Sequence, residues 1–216
     1  MTSSDNRHSV AAAAVQEEPA PGRLDLVRRF VNTRDVEDAI EELATPAAAR
    51  AWLREHGLPD VAGLDAAGTE RLIGLRETLR GLLLANNGDT QDDQRHDQRH
   101  DQRHNQRQAK PALECLRAEA ARVALRVRFD GESRSSLVPG GAGIDAVVGE
   151  LIGIVHEAMA DGTWKRLKAC RSETCEWAFY DRSRNRSGTW CSMAVCGNRE
   201  KARAYRHRHG AAKHES

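Results

Sequence analysis

Four of the five cysteines in this 216-residue chain fall into two matched pairs near its C-terminal end. Four residues separate Cys170 from Cys175, fifteen residues follow, and Cys191 and Cys196 repeat the same spacing. Zinc takes four soft ligands tetrahedrally, usually as two close pairs joined by a longer loop: each tight turn presents two thiolates, and the loop brings the pairs together. Two disulfides, or four unrelated buried thiols, are the alternatives. Met1 to Pro21 has no basic stretch followed by an apolar core, and no apolar run approaches the ~20 residues that span a bilayer. The expected compartment is therefore the cytoplasm, with no membrane partner, and thiols stay reduced there. Redox chemistry would need a Cys-x-x-Cys pair beside a strand–helix unit, which is missing. The spacing selects one structural Zn2+ on Cys170, Cys175, Cys191 and Cys196.

The residues around the ligands suggest how such a site is built. Glu176–Asp181 is aromatic and strand-like, Arg182–Gly188 is a polar turn, and Thr189–Cys191 leads back, which predicts a short β-hairpin. Ser192 suits a helix N-cap and 193–207 a helix, with Cys196 in its first turns. Knuckle, hairpin and helix about one metal make a treble-clef-like unit. So small a unit buries little apolar area alone, so the metal supplies folding energy. Trp177, Phe179 and Trp190 are expected in its small core, with base stacking as the other use for these rings.

Charge is distributed unevenly. Residues 164–209 carry 12 lysines and arginines against four acids, a surplus of eight, so the rest of the chain holds −7 within a whole-chain net of +1. That asymmetry is the electrostatic footprint of a nucleic-acid-binding end on an acidic partner domain. Arg182, Arg184 and Arg186 alternate in the polar turn, where guanidinium groups reach phosphates. Arg199, Arg203 and Arg206 share one helix face, with Lys201 off that line. Asn198 either reads adenine or braces the zinc knuckle, and Arg199 suits guanine. Double-stranded DNA is the expected partner, and an acidic protein docked on the same arginines is the alternative.

Upstream, residues 1–21 are polar and Ala-rich and read as a disordered tail. Leu24, Val27, Phe30 and Val31 define one apolar helix face over Gly22–Thr33, and a second short helix is predicted over Val36–Leu43. Thr45-Pro46 starts a third helix that Gly57 ends. Thr69 is the candidate cap of a fourth, striped by Leu72, Leu75, Leu79, Leu82 and Leu83 and stopped by Asn87-Gly88. Residues 91–108 repeat DQRH without one apolar residue, so a solvated loop is expected over 89–109. His96, His100 and His104 would share a face only if that stretch were helical. A modest helix over Pro111–Ala121 leads to alternating Val123, Leu125, Val127 and Phe129, and Asp130-Gly131 turns this strand into a hairpin. Ile144, Val147, Val148, Leu151, Ile152, Val155 and Met159 form the strongest helical stripe, closed by Asp161-Gly162. His156 sits at its edge. The fold class is α+β: a mainly helical N-terminal domain with one β-hairpin, then the small zinc finger. No Ser/His/Asp or Cys/His arrangement and no phosphate-binding glycine loop appears, so an enzyme is not expected.

The run WAFYDRSRNRSGTWCSMAVCGNR, ending in Cys196-Gly197-Asn198-Arg199, resembles the CGNR-type zinc finger. Phe30-Val31-Asn32-Thr33 and the helices after it resemble the domain that precedes that finger, called ABATE. Together they are similar to bacterial proteins described as stress-induced transcription regulators. The resemblance covers about 22–209 and is most specific over 164–206; the tail and the DQRH repeat have no counterpart in it. It implies a helical ABATE domain over 22–162, a finger over 163–209 and a short tail over 210–216. It also implies zinc on the four cysteines and a role in DNA binding. The N-terminal domain would then sense a signal or dimerise, with a homodimer plausible because one small finger offers few DNA contacts. Any small-molecule effector is undetermined by the sequence.

Overall fold

The computed structural model describes residues 18–88, 98–132 and 134–211. Helix α1 (Leu24–Val31) buries Val27, Phe30 and Val31 completely. The helix predicted over Val36–Leu43 does not form. The chain makes a minimal hairpin there, strand β1 (Arg34–Asp35) antiparallel to β2 (Ile40–Glu41). The Asp35 carboxylate accepts the Glu37 and Asp38 N–H groups at 2.9 and 3.1 Å, and Ala39 adopts φ +53°. Such an Asx turn offers the backbone an alternative to helix.

Helix α2 (Pro46–Glu55) begins as predicted, with the Thr45 hydroxyl accepting the Ala48 N–H at 3.2 Å. Helix α3 (Ala66–Ala85) is capped by Asp65 rather than Thr69: the Asp65 carboxylate accepts from Gly68 N–H at 2.8 Å. Thr69 lies a turn further in, its hydroxyl spent on the Asp65 carbonyl. The leucine stripe of α3 is buried throughout. The helix stops at Ala85 and a single 3-10 turn, Asn86–Gly88, follows.

The DQRH repeat departs from the expected loop. Residues 89–97, with His96, lie outside the described residues, but from Gln98 onward the chain is helical and runs unbroken through Pro111 as α4 (Gln98–Arg122). His100 and His104 are one turn apart on its backbone. The repeat has no Gly, Pro or β-branched residue from 98 to 110, and Gln and Arg are good helix formers, so local propensity suffices where burial cannot help.

Strands β3 (Leu125–Phe129) and β4 (Ser135–Pro139) pair antiparallel from Leu125↔Pro139 to Phe129↔Ser135, around the predicted Asp130 turn. The hairpin's inner end leans on helix α5 (Gly143–Asp161), where a Cβ on Gly153 would stand 3.1 Å from the Leu137 carbonyl oxygen. Its outer end is open: Val127 is 59% and Phe129 74% exposed. Helix α5 buries Val147, Val148, Leu151, Ile154 and Val155 and ends at Gly162 in the left-handed conformation, with His156 exposed at its edge. No helix among the described residues is long and apolar enough to cross a membrane. The core does not end with α5, because Trp164, Leu167, Ala169 and Ala178 join the same cluster as the helices before them.

Candidate metal centre

Strand β5 (Leu167–Ala169) pairs antiparallel with β6 (Ala178–Tyr180), Leu167 opposite Tyr180. The turn between them is the knuckle that carries Cys170 and Cys175. The Cys170 N–H donates to the Trp177 carbonyl at 2.9 Å. The Ser172 carbonyl accepts from Cys175 and Glu176 at 2.9 and 3.0 Å, and Glu176 closes the turn at φ +53°. The hairpin therefore forms upstream of its predicted place, around the first cysteine pair. Thr189–Cys191 is not its return strand; their backbones meet through the Arg171 N–H, which donates to the Thr189 carbonyl at 3.1 Å. Ser192 caps the last helix as predicted, accepting from Val195 N–H at 3.3 Å. A widened π-helical turn, Met193–Gly197, holds Cys196 and runs into α6 (Asn198–Ala211).

These elements bring all four sulfurs together. Their Sγ atoms lie within 4.8 Å of one another, with Cys175–Cys191 at 3.5 Å and Cys191–Cys196 at 3.7 Å. A tetrahedron with Zn–S of about 2.3 Å needs sulfurs about 3.8 Å apart, so the cage already has the size of a zinc thiolate shell. The thiols of Cys175 and Cys191 hydrogen-bond to Cys170 and hold it well below the usual thiol range. The same bonds, with burial, push Cys175 and Cys191 up, and burial together with the Cys170 charge pushes Cys196 up. Four sulfurs at this distance, three of them on buried cysteines, ionise together only against a cation. Backbone N–H groups of Ser172, Cys191 and Trp177 already point at sulfurs and would share the thiolate charge. Trp177 and Trp190 pack against the cluster, whereas Phe179 is half-buried outside it.

A profile of the CGNR zinc finger matches residues 166–209. A profile of the ABATE family, "putative stress-induced transcription regulator", matches residues 24–152, more than half of the chain. The chain belongs to the ABATE family. Its C-terminal CGNR finger binds zinc through Cys170, Cys175, Cys191 and Cys196. No curated protein shows a significant match to the chain.

Each residue of the CGNR signature has a visible task. Cys196 is a ligand. A Cβ on Gly197 would strike the Met193 sulfur and stand 3.3 Å from the Trp190 ring. The Asn198 side-chain amide donates to the Ala194 carbonyl, one turn back in the same helical segment, at 3.1 Å. Arg199 donates to the Thr174 hydroxyl of the knuckle at 3.3 Å and to the Glu37 carboxylate of the ABATE region at 2.7 Å. Lys201, Arg203 and Arg206 are exposed on α6, with Arg203 3.7 Å from Glu200.

The arginine loop of the finger is held by a buried ion pair between Lys168 and Asp181, which carry no local sequence signal. Lys168 is completely buried in β5, and its ammonium donates to Asp181 at 2.8 Å, to the Gly188 carbonyl at 2.9 Å and to the Arg186 carbonyl at 2.5 Å. Asp181 in turn accepts from Ser183 and Gly188 N–H groups, both at 2.9 Å. Burial works against its carboxylate, but Lys168 and these donors hold it below the usual range. A side chain at Gly188 would meet that carboxylate at 2.9 Å. Arg184 projects into solvent, Arg186 is half-exposed, and Arg182 lies 5.5 Å over the Tyr180 ring.

The finger is also fastened to the ABATE region by side chains acting as backbone. Asn32 pairs with Ala178 in both directions, donating to its carbonyl at 3.0 Å and accepting its N–H at 2.7 Å. Asn86 donates to the Trp164 and Leu167 carbonyls, and Asn87 to Ala169. Buried Arg80 donates to the knuckle carbonyl of Glu176 at 2.8 Å.

Proposed function

We propose that this protein is a DNA-binding transcription regulator whose zinc finger contacts the duplex through its arginine loop and α6. The observation that carries this reading is the exposure of Arg184, on the loop held by the Lys168–Asp181 pair, and of Lys201, Arg203 and Arg206 on α6, which follows the zinc ligand Cys196. Cations on rigid supports neutralise phosphates with little ordering cost, which the predicted surplus of positive charge in the finger favours. The zinc acts structurally, since four thiolates leave no position for water, and the reading is accordingly not enzymatic.

The ABATE region is then the sensing or dimerising part. An open groove of about 470 Å³ between α1, α2 and Trp177, lined by Arg28, Asn32, Trp52, His56 and Trp177, supports a sensing role, because Trp177 packs on the cysteine cluster. A second reading, a finger that docks an acidic protein, draws on the two carboxylates already paired with Arg182 and Arg199. The test is selection of the zinc-loaded protein on a random-sequence duplex library at about 0.15 M salt. An enriched motif supports the DNA reading, and its symmetry reports the oligomeric state. Binding that vanishes at that salt with no enrichment favours the protein-docking reading.

A further inference from the structure

Two arginines of the finger's basic surface are paired with acids from outside the finger, both of which precede the second helix. Arg199 donates to Glu37 at 2.7 Å, and this glutamate sits in the β1–β2 turn. Arg182 pairs with Glu18 at 2.7 Å and donates to the Pro19 carbonyl at 2.7 Å. One of these arginines is in the loop and the other on α6, so the two acids restrain both basic segments. We propose that Glu37 and Glu18 form an autoinhibitory latch, in which a carboxylate of the ABATE region and one just ahead of it occupy arginines that DNA phosphates would otherwise take. This proposal rests on the DNA-binding reading.

The geometry supports competition rather than permanent structure. All four side chains are substantially exposed: 39% for Arg199, 44% for Glu37, 52% for Arg182 and 62% for Glu18. Exposed pairs of this kind are weak and salt-screened, so phosphates can displace them. The pairs built on buried cations elsewhere in the molecule, Arg76 with half-buried Glu41 and Lys168 with buried Asp181, lack this property. Arg199 keeps its Thr174 contact, so opening the latch frees part of the guanidinium without loosening the knuckle.

The test is a double-mutant cycle on the zinc-loaded full chain, read by fluorescence anisotropy with a labelled random-sequence duplex at about 0.05 M salt, where exposed charges are little screened. E37Q should bind about two- to fivefold more tightly than wild type, and E18Q should act similarly and add to it. D38N is the control, since it removes the same charge one residue from Glu37. The gain of E37Q should exceed that of D38N and should disappear in an R199A background. Equal gains for E37Q and D38N, or a gain that persists with R199A, would overturn the latch while leaving the DNA reading intact. No binding by any variant, wild type included, would overturn both.

Discussion

At the residue scale the finger depends on two buried charge clusters, and each has a decisive substitution. Cys191 stands 3.5 and 3.7 Å from two other ligand sulfurs, so Cys191→Ser opens the shell to water. We expect loss of zinc by elemental analysis and loss of near-ultraviolet dichroism from Trp177 and Trp190. Retention of both signals would show that three thiolates suffice. Lys168→Met removes the ammonium but leaves Asp181 buried as a carboxylate. Breaking a buried pair on one side costs about 3–5 kcal/mol, which denaturant titration should register. The Asp181 carboxyl is depressed in the folded state, so its contribution is present above the unfolded carboxylate range and is lost as pH falls below about 4. Asp181→Asn should therefore flatten that part of the acid-stability profile; an unchanged profile would assign the acid sensitivity to other carboxylates.

At the element scale the hairpin β5–β6 is a two-stranded ribbon that borrows a third edge from amide side chains. Asn32→Ala removes both partners of Ala178, whose N–H and carbonyl are buried. Each orphaned group costs about 1–3 kcal/mol, so stability should fall by several kcal/mol and the Ala178 amide should lose its protection from hydrogen exchange. Protection that survives would mean the hairpin holds its register unaided. The cysteine spacing, the leucine stripe of α3, the Thr45-Pro46 start and the Asp130-Gly131 turn were legible because each signal is local and periodic. The pairing of β5 with β6 was not, since Leu167–Ala169 is only three residues long and its partner is chosen by the metal ligands between the strands. The helix predicted over Val36–Leu43 was lost to an Asp35 side-chain turn, and Thr69 lost its cap role to an acid four residues earlier. In the site itself, the ligands were plain. Lys168, Asn32 and Glu37 were hidden because their partners lie 13, 146 and 162 residues away.

At the scale of the whole molecule the two family segments share one hydrophobic core, which predicts that they unfold together. Trp164, Leu167, Ala169 and Ala178 belong to the same core as Phe30, Leu79 and Leu151, and Arg80, Asn86 and Asn87 of the ABATE region hold finger carbonyls. Zinc therefore stabilises more than the finger. Ligand binding to the native state alone raises stability across every element that unfolds with it. Chelation of the full chain should lower the protection of amides in the leucine stripe of α3, far along the chain from any cysteine, and calorimetry of the holo-protein should give a single transition. Two separate transitions, with α3 protection indifferent to chelation, would instead mean that the shared core is too thin to couple them. The coupling matters for the proposed regulation: a signal received in the ABATE region can alter the finger only through contacts stiff enough to transmit it. Asn32 is the place to look, because it lines the groove beside α1 and also carries the backbone of β6.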